Sequence, residues 1–448
     1  MSTRPYPSYK NSGVEWLGRI PAHWAVKRLK YVVRQNPESL PETTDPDYEL
    51  QYLDIGNVEE VAGVGSPQEM RFSNAPSRAR RRVRSGDTIV STVRTYLKAI
   101  AYFDAPPENL IVSTGFAVLR PNREVHPRFL HALVRSRQFV EKIVTRSVGV
   151  GYPAINPGEL SCLPVWLPPP TEQQAIAAFL DRETGKIDAL VKKMERLIEL
   201  LQEQRTALIS HAVTQGLNPN APMKDSGVPW LGQIPAHWEC GRLKVRLKKI
   251  GQGWSPLCEH RPAQEGEWGV LKVGCMNGSI YDESENKTLP IEIEPAKELE
   301  IRVGDVLMSR SNTVELVGSV GIVHETQGKI LLCDKLFRLV FHQTKLLPEY
   351  AVSLLRSPVA RKQIEAASSG ASPSMKNISN GAVAGLVLPF PPVGEQQVIL
   401  KHISEQTAKL DALTAKVRTT IERLQEYRTA LISAAVTGQI DVRSVSTL

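Results

Sequence analysis

The chain has 448 residues, too many for one ordinary domain and enough for two or three. Its 42% hydrophobic and 23% charged residues are those of an ordinary globular protein, and no apolar run reaches the roughly eighteen residues of a membrane span. A formal net charge of +8 makes nucleic acid a compatible partner, while the five cysteines Cys162, Cys240, Cys258, Cys275 and Cys333 stand singly and indicate neither a zinc site nor a disulfide framework.

The opening stretch "MSTRPYPSYKNSG" has no apolar core behind its positive charges, so no secretory leader is expected. With single cysteines, this fits a reducing cytoplasm. Next comes "SGVEWLGRIPAHW" at residues 12–24, which returns as "SGVPWLGQIPAHW" at residues 226–238. Trp16, Trp24, Trp230 and Trp238 are large buriable anchors. His23 and His237 beside them read as packed or capping histidines rather than metal ligands. Between residues 10–30 and 224–244, fifteen of twenty-one positions are identical; between 171–217 and 394–440, twenty-four of forty-seven. The chain is therefore a tandem duplication.

The stretches between these ends have diverged, with faint echoes. "YLDIGNVEE" from Tyr52 resembles "VLKVGCMNG" from Val270, "SGDTIVSTVR" from Ser85 resembles "VGDVLMSRSN" from Val303, and "HPRFLHALVRS" from His126 resembles "LPEYAVSLLRS" from Leu347. The two middles are expected to share a fold but not a surface. In the first, "RARRRVR" supplies Arg78, Arg80, Arg81, Arg82 and Arg84, either a solvated face or a phosphate clamp. Gly86-Asp87 looks like a turn opening a strand. Ser91, Thr92, Arg94, Tyr96 and Lys98 follow, among them side-chain types that exchange hydrogen bonds with base edges. A glycine-bearing loop, "SVGVGYPAIN" from Ser147, carries Tyr152, and its glycines let backbone approach a ligand. In the second middle the corresponding sets are Ser309, Arg310, Ser311 and Asn312 after Gly304-Asp305, then Ser374, Lys376 and Asn377 in "SSGASPSMKN". An ordinary solvated strand end or flexible loop is the competing reading for each.

A long helix is expected after Pro168, Pro169 and Pro170, with Thr171 as cap and Gln174 completing a capping box. Leu180, Ile187, Leu190, Met194, Leu197, Leu201 and Leu208 step by threes and fours, apart from Glu183 and Gln204, as in a coiled-coil seam. The second copy gives Ile403, Leu410, Leu413, Val417, Leu424, Tyr427 and Leu431, with Thr420 as the polar exception. Each helix spans roughly 60 Å. Because the first ends, and the second begins, at the second middle, short connections require an antiparallel pair. The expected fold class is α+β: two mixed α/β globular domains joined by two long helices that form an antiparallel coiled-coil spacer, with pseudo-two-fold symmetry. No phosphate-binding G-x-x-x-x-G-K, H-E-x-x-H, G-x-S-x-G or amino-methyltransferase N-P-P-F segment occurs, so no catalytic residue and no metal site is assigned.

The duplicated tryptophan clamp, "PPPTEQQAIAAFLD" with "PPVGEQQVILKHI", "ALISHAVTQG" with "ALISAAVTGQ", and the unlike middles together resemble the specificity subunit of type I restriction–modification systems over nearly the whole chain. The resemblance implies target recognition domains at residues 1–167 (with the clamp) and 218–389, and helical conserved regions at 168–217 and 390–448. It implies a non-catalytic subunit that reads a split, asymmetric sequence in double-stranded DNA, with the helices as a ruler. The implied partners are two methyltransferase subunits and motor-nuclease subunits, which use S-adenosylmethionine, ATP and magnesium; this chain binds no cofactor and no membrane. A methyltransferase or nuclease in its own right, and a coiled-coil protein adaptor, are the alternatives.

Overall fold

The structure is a computed structural model that describes residues 4–59, 63–277, 280–372 and 375–443; Ser374 lies outside the described residues. Two compact units divide the chain: Met1–Glu195 with Val417–Leu448, and Arg196–Lys416. The division cuts through both long helices, so each unit owns one diverged middle and half of each helix.

In the first unit an antiparallel sheet runs in the order Ile100–Tyr102, Thr88–Ser91, Phe116–Pro121, Val33–Gln35. Its central strands are covered on both faces, and the two-residue period shows which side chain goes where. Val90, Ala117 and Leu119 join the cluster of Trp24, Phe129 and Trp166, whereas Ile89, Phe116 and Val118 join Leu53 and Val112. A second sheet has the order Gln68–Arg71, Glu49–Leu53, Leu110–Ser113, Ala79–Arg82, its middle pair parallel. Three short helices follow, α1 (Pro127–Val134), α2 (Arg137–Arg146) and α3 (Pro157–Cys162), before the long α4 (Pro170–Gln215). Proline at the first turn of α1, α3 and α4 fits, since the amide it lacks has no helical partner there.

The second unit repeats the plan. Leu247–Gln252, Leu336–Phe341, Val306–Ser309 and Val320–Ile322 form the antiparallel sheet. Asn286–Thr288, Gly269–Leu271 and Ile330–Leu331 form the smaller one, again with a parallel pair. Helices α5 (Pro348–Leu355), α6 (Pro358–Ala367) and α7 (Asn380–Gly385) precede the long α8 (Val393–Val436). All three sequence echoes fall on matching elements. Where the first unit has the arginine-rich strand Ala79–Arg82, the second has Glu300 bridged antiparallel to Leu331, with the Ile301 amide donating to Ile330 O at 2.8 Å, and no arginine run.

The first long helix begins at Pro170, one residue before the expected cap Thr171, and the second begins at the matching place, Val393. The Glu172 and Gln173 amides donate to Pro169 O at 2.9 and 3.0 Å, and those of Glu395 and Gln396 to Pro392 O at the same distances. Thr171 is thus inside α4 rather than capping it, because proline already suits the first helical position. In each unit the helix halves pack antiparallel. Phe179, Leu180, Ile187 and Val191 meet Leu431, Ile432, Ala435 and Val436 in one, and Ala212 and Val213 meet Ile399 and Ile403 in the other. The C-terminal segment thereby closes onto the first unit: Trp166 Nε1 donates to Val436 O and Tyr9 Oη to Gly438 O.

The expected seam needs correction. Leu180, Ile187, Leu201, Ile403, Val417 and Leu431 are buried, and Met194, Leu208, Leu410 and Leu424 partly so. Leu190, Leu197, Leu413 and Tyr427 are exposed. A heptad line can be completed three or four residues on; the leucines favoured three, and the fold takes four. Val191, Ile198, Arg205, Thr407, Thr414, Ile421 and Arg428 fill those places, all buried or partly buried. The two arginines lay their stems in the seam and bring their heads to aspartates. Arg428 Nε sits 2.8 Å from Asp188 in the first unit, and Arg205 Nε 3.4 Å from Asp411 in the second. These pairs are equivalent at the repeat offset, so the duplication preserved the rule as well as the residues.

Candidate nucleic-acid interface

The duplicated E-Q-Q and H-W motifs fix each middle to its helix. Glu172, 4% exposed, accepts from Trp24 Nε1 at 3.0 Å and from Tyr6 Oη, and its second oxygen is 2.7 Å from His23 Nε2. Glu395 meets Trp238 Nε1 at 3.0 Å and His237 Nε2 at 2.8 Å. Burial and the Glu172 carboxylate push the Tyr6 phenol far above its ordinary range. The next residue ties down the short helices. Gln173 accepts from the His126 amide at 2.8 Å and donates to Glu124 O and Pro168 O, as Gln396 does with the Leu347 amide, Lys345 O and Pro391 O. The histidines are polar packing residues, and no cluster able to hold a metal occurs among the described residues. Trp24 and Trp238 are fully buried, but Trp16 is only partly so and Trp230 is 50% exposed.

On this frame the two polar loops of each middle converge. In the first unit Val93 and Val148 both bridge to Ala154, the Arg94 amide donates to Pro153 O at 2.8 Å, and Thr95 Oγ1 lies 2.7 Å from Ser147 Oγ. Arg94 and Lys98 have left-handed backbones at φ 52° and 50°, an uncommon conformation for such side chains. It is held here by the surrounding backbone bonds. The Arg94 guanidinium lies 4.5 Å from the Tyr152 ring centroid, a cation–π contact. Arg94, Tyr96, Lys98 and Tyr152 are exposed together with Val148 and Val150. Ser91 and Thr92 are buried beneath them, Thr92 Oγ1 donating to Gly115 O at 2.9 Å.

In the second unit Ser311 pairs with Asn377 and Asn312 with Lys376, as strands. Ser311 Oγ donates to Asn377 Oδ1, and Asn312 Nδ2 to Asn277 Oδ1 at 2.8 Å. Arg310 donates to Asp334 O at 3.2 Å, and Lys376 Nζ reaches Gly370 O at 2.7 Å. Ser309 is buried, and Asn312, Lys376 and Asn377 are partly exposed. The same place in the fold thus carries an aromatic and cationic surface in one unit and an amide-rich one in the other.

The arginine run is placed elsewhere, on the strand Ala79–Arg82, and its heads are engaged within the unit. Arg78 meets Tyr52 Oη at 3.1 Å and Asp54 at 2.6 Å, Arg80 stacks on Phe72, and Arg84 forks onto Glu38. Arg81 donates to Asn36 and Phe116 O, with burial lowering its pKa, and Arg82 reaches toward Tyr48. Glu38 also receives Arg120, which holds its carboxyl below the usual range, and Arg120 forks in turn onto the buried Asp87 at 2.8 Å. Sequence reading missed Glu172, Glu395, Gln173 and Gln396, although their retention in both copies was the available signal. Asn277 and the link between Thr95 and Ser147 had no such signal.

Known proteins match this arrangement. The family model for the type I restriction modification DNA specificity domain matches residues 77–200. The EcoEI specificity subunit of Escherichia coli is 27% identical over 241 residues, 54% of this chain and 40% of that protein's length. The putative MjaX specificity subunit of Methanocaldococcus jannaschii is 25% identical over 456 residues, covering 96% of each. Among solved structures, a chain from work on complex assembly and conformational transition of the type I R-M system superposes with a TM-score of 0.67 at 23% identity, covering 93% of this chain and 98% of its own. The HsdS subunit from Thermoanaerobacter tengcongensis gives 0.50 at 24% identity, covering 94% and 98%. A duplicated frame presents two unlike polar surfaces, and matches of one kind run along the chain: it is similar to the specificity subunits of type I restriction–modification systems.

Proposed function

We propose that the chain reads a bipartite, asymmetric sequence in double-stranded DNA, one half-site per unit, and is itself non-catalytic. One observation carries this: the two units hold a convergent loop pair at the same place on the same frame, yet present different side chains there. A shared frame with unlike surfaces reads two unlike half-sites. Arg94, Tyr96, Lys98 and Tyr152 form the first reading surface, with Arg310, Asn312, Lys376 and Asn377 forming the second.

The partners are two methyltransferase subunits and motor-nuclease subunits, and S-adenosylmethionine, ATP and magnesium serve those partners. Leu190, Leu197, Leu200, Leu413 and Tyr427 leave the long helices with exposed apolar side chains beside their seam, which supports docking of further helices. No helix among the described residues is long and apolar enough to cross a membrane.

Sequencing adenine methylation in host DNA with and without the gene tests this reading. Loss of methylation at one split, asymmetric motif is expected. If the partner methyltransferase co-purifies with the chain and no motif depends on it, the reading fails. The purified chain alone is expected to show neither methyl transfer nor magnesium-dependent cleavage.

A further inference from the structure

The second unit's reading loop has a support that the first unit's lacks. Eight residues separate the strands Thr88–Ser91 and Ile100–Tyr102, whereas ten separate Val306–Ser309 from Val320–Ile322. The longer connection winds into one helical turn. Asn312 Oδ1 accepts from the Thr313 amide at 2.9 Å, and the Val317 amide donates to Thr313 O at 2.8 Å. A turn this short leaves its last carbonyls without helical donors, and an arginine near a C-terminal turn can satisfy them.

Arg361, on α6, does so. Its guanidinium donates to Val314 O at 3.3 Å, Glu315 O at 3.2 Å and Val317 O, and Glu365 at 3.2 Å holds the head in place. Gly318 then leaves the turn at φ +76°, and a Cβ there would lie 2.5 Å from Ile364 of the same helix. The turn is thus clipped to α6 by one side chain and one close approach. Aligning α2 and α6 on their N-caps, Ser136 and Ser357, places buried Val140 where Arg361 stands, so the first unit cannot make this clip.

We propose that Arg361 is a positioning residue for recognition of one half-site: it fixes the turn whose first residues, Asn312 and Thr313, present to DNA. The inference rests on the proposed reading of DNA by these loops. Arg361 is 21% exposed and sits behind the turn, so it acts through the loop rather than by touching a base.

The test is selection of bound duplexes from a randomised pool by the purified full-length chain, wild type against R361Q, R361K and G318A. In R361Q, discrimination at the bases of one half-site should fall roughly tenfold, the scale of one lost base-edge pairing, with the other half-site unchanged. R361K keeps a charged donor and should retain most of it. G318A disturbs the same turn without touching Arg361 and should relax the same half-site. If R361Q does not fold, as judged by circular dichroism, G318A carries the same expectation. A folded variant that reads both half-sites as wild type does, or loses both equally, overturns the inference while leaving the proposed function standing. A wild-type chain that selects no split sequence overturns the proposed function, and this inference with it.

Discussion

Two regions of each unit met opposite fates after the duplication. The junction of clamp, helix start and short-helix start is retained nearly atom for atom: Glu172 with Glu395, Gln173 with Gln396, Asp188–Arg428 with Asp411–Arg205. The polar loops a short way along the chain share a place in the fold and almost no side chains. Glu172, Gln173 and Gln396 are buried donors and acceptors that must be matched wherever the unit folds, so drift there is destabilising. Loop side chains face outward, and their chemistry follows whatever they read. Retention inside one chain thus separates what holds the unit together from what it does.

The sharpest way to break this contrast is to remove each junction carboxylate in turn. Glu172 is almost wholly buried and serves three side chains, whereas Glu395 is 29% exposed and its partner His237 is 52% exposed. E172A should lower stability by about 3 kcal/mol, the order expected when two buried donors, Trp24 Nε1 and Tyr6 Oη, lose their acceptor. E395A should lower it by about 1 kcal/mol, since water replaces part of what is lost. Urea unfolding followed by tryptophan fluorescence reads both. Equal losses would mean that the two junctions are energetically alike despite their different burial.

The seam offers the next contrast. Leu201 is 6% exposed and Leu197, four residues earlier on the same helix, is 39% exposed. L201A should cost about 2–3 kcal/mol through lost burial and a cavity. L197A should stay within about 0.5 kcal/mol. The reverse order in denaturant midpoints would restore the leucine-based seam.

That seam marks where sequence legibility ended. Duplication and the long antiparallel helices were readable, because repeats and heptads are patterns of residue type. The choice of Val191 over Leu190 was not, because hydrophobicity favoured the leucines. Arg205 and Arg428 look like surface residues until Asp411 and Asp188 are brought beside them. The arginine run was legible as charge, but its pairing with Asp54 and Glu38 depends on strands far apart in sequence. Ser91 and Thr92 were legible as polar; their burial beneath Arg94 follows from the third dimension alone.

A smaller asymmetry lies behind the short helices. His131 on α1 is packed near Arg135, Arg428 and Arg128, against the Tyr102 ring; burial first, then those cations, depress its pKa to about 3. The second unit has Val352 at the matching position of α5. An unfolded chain protonates this imidazole near its ordinary value of about 6.5 and the folded one does not. The stabilisation is therefore complete above pH 6.5 and is lost as pH falls toward 3, by up to about 1.4 kcal/mol per pH unit. H131V, which makes the copies alike, should flatten the acid limb of the melting temperature between pH 6 and 4. An unchanged limb would assign acid sensitivity to other groups.

The least perturbing test bears on the loops themselves. Arg84 and Arg94 carry the same charge, but the Arg84 head is forked onto Glu38 while Arg94 stands exposed over Tyr152 in the convergent loops. An arginine that neutralises a DNA phosphate releases counterion, so removing it lowers the slope of log affinity against log salt by about 1. R94A should show that change and R84A none, in fluorescence anisotropy with the motif found by methylation sequencing. Equal slopes for R84A and wild type, beside a reduced slope for R94A, would place the charge that meets DNA on the diverged loops and leave the arginine run to the interior electrostatics of its sheet. A reduced slope for R84A would instead mean that Glu38 yields its partner to the phosphate, and the first unit's footprint would extend onto the arginine run that the second unit lacks.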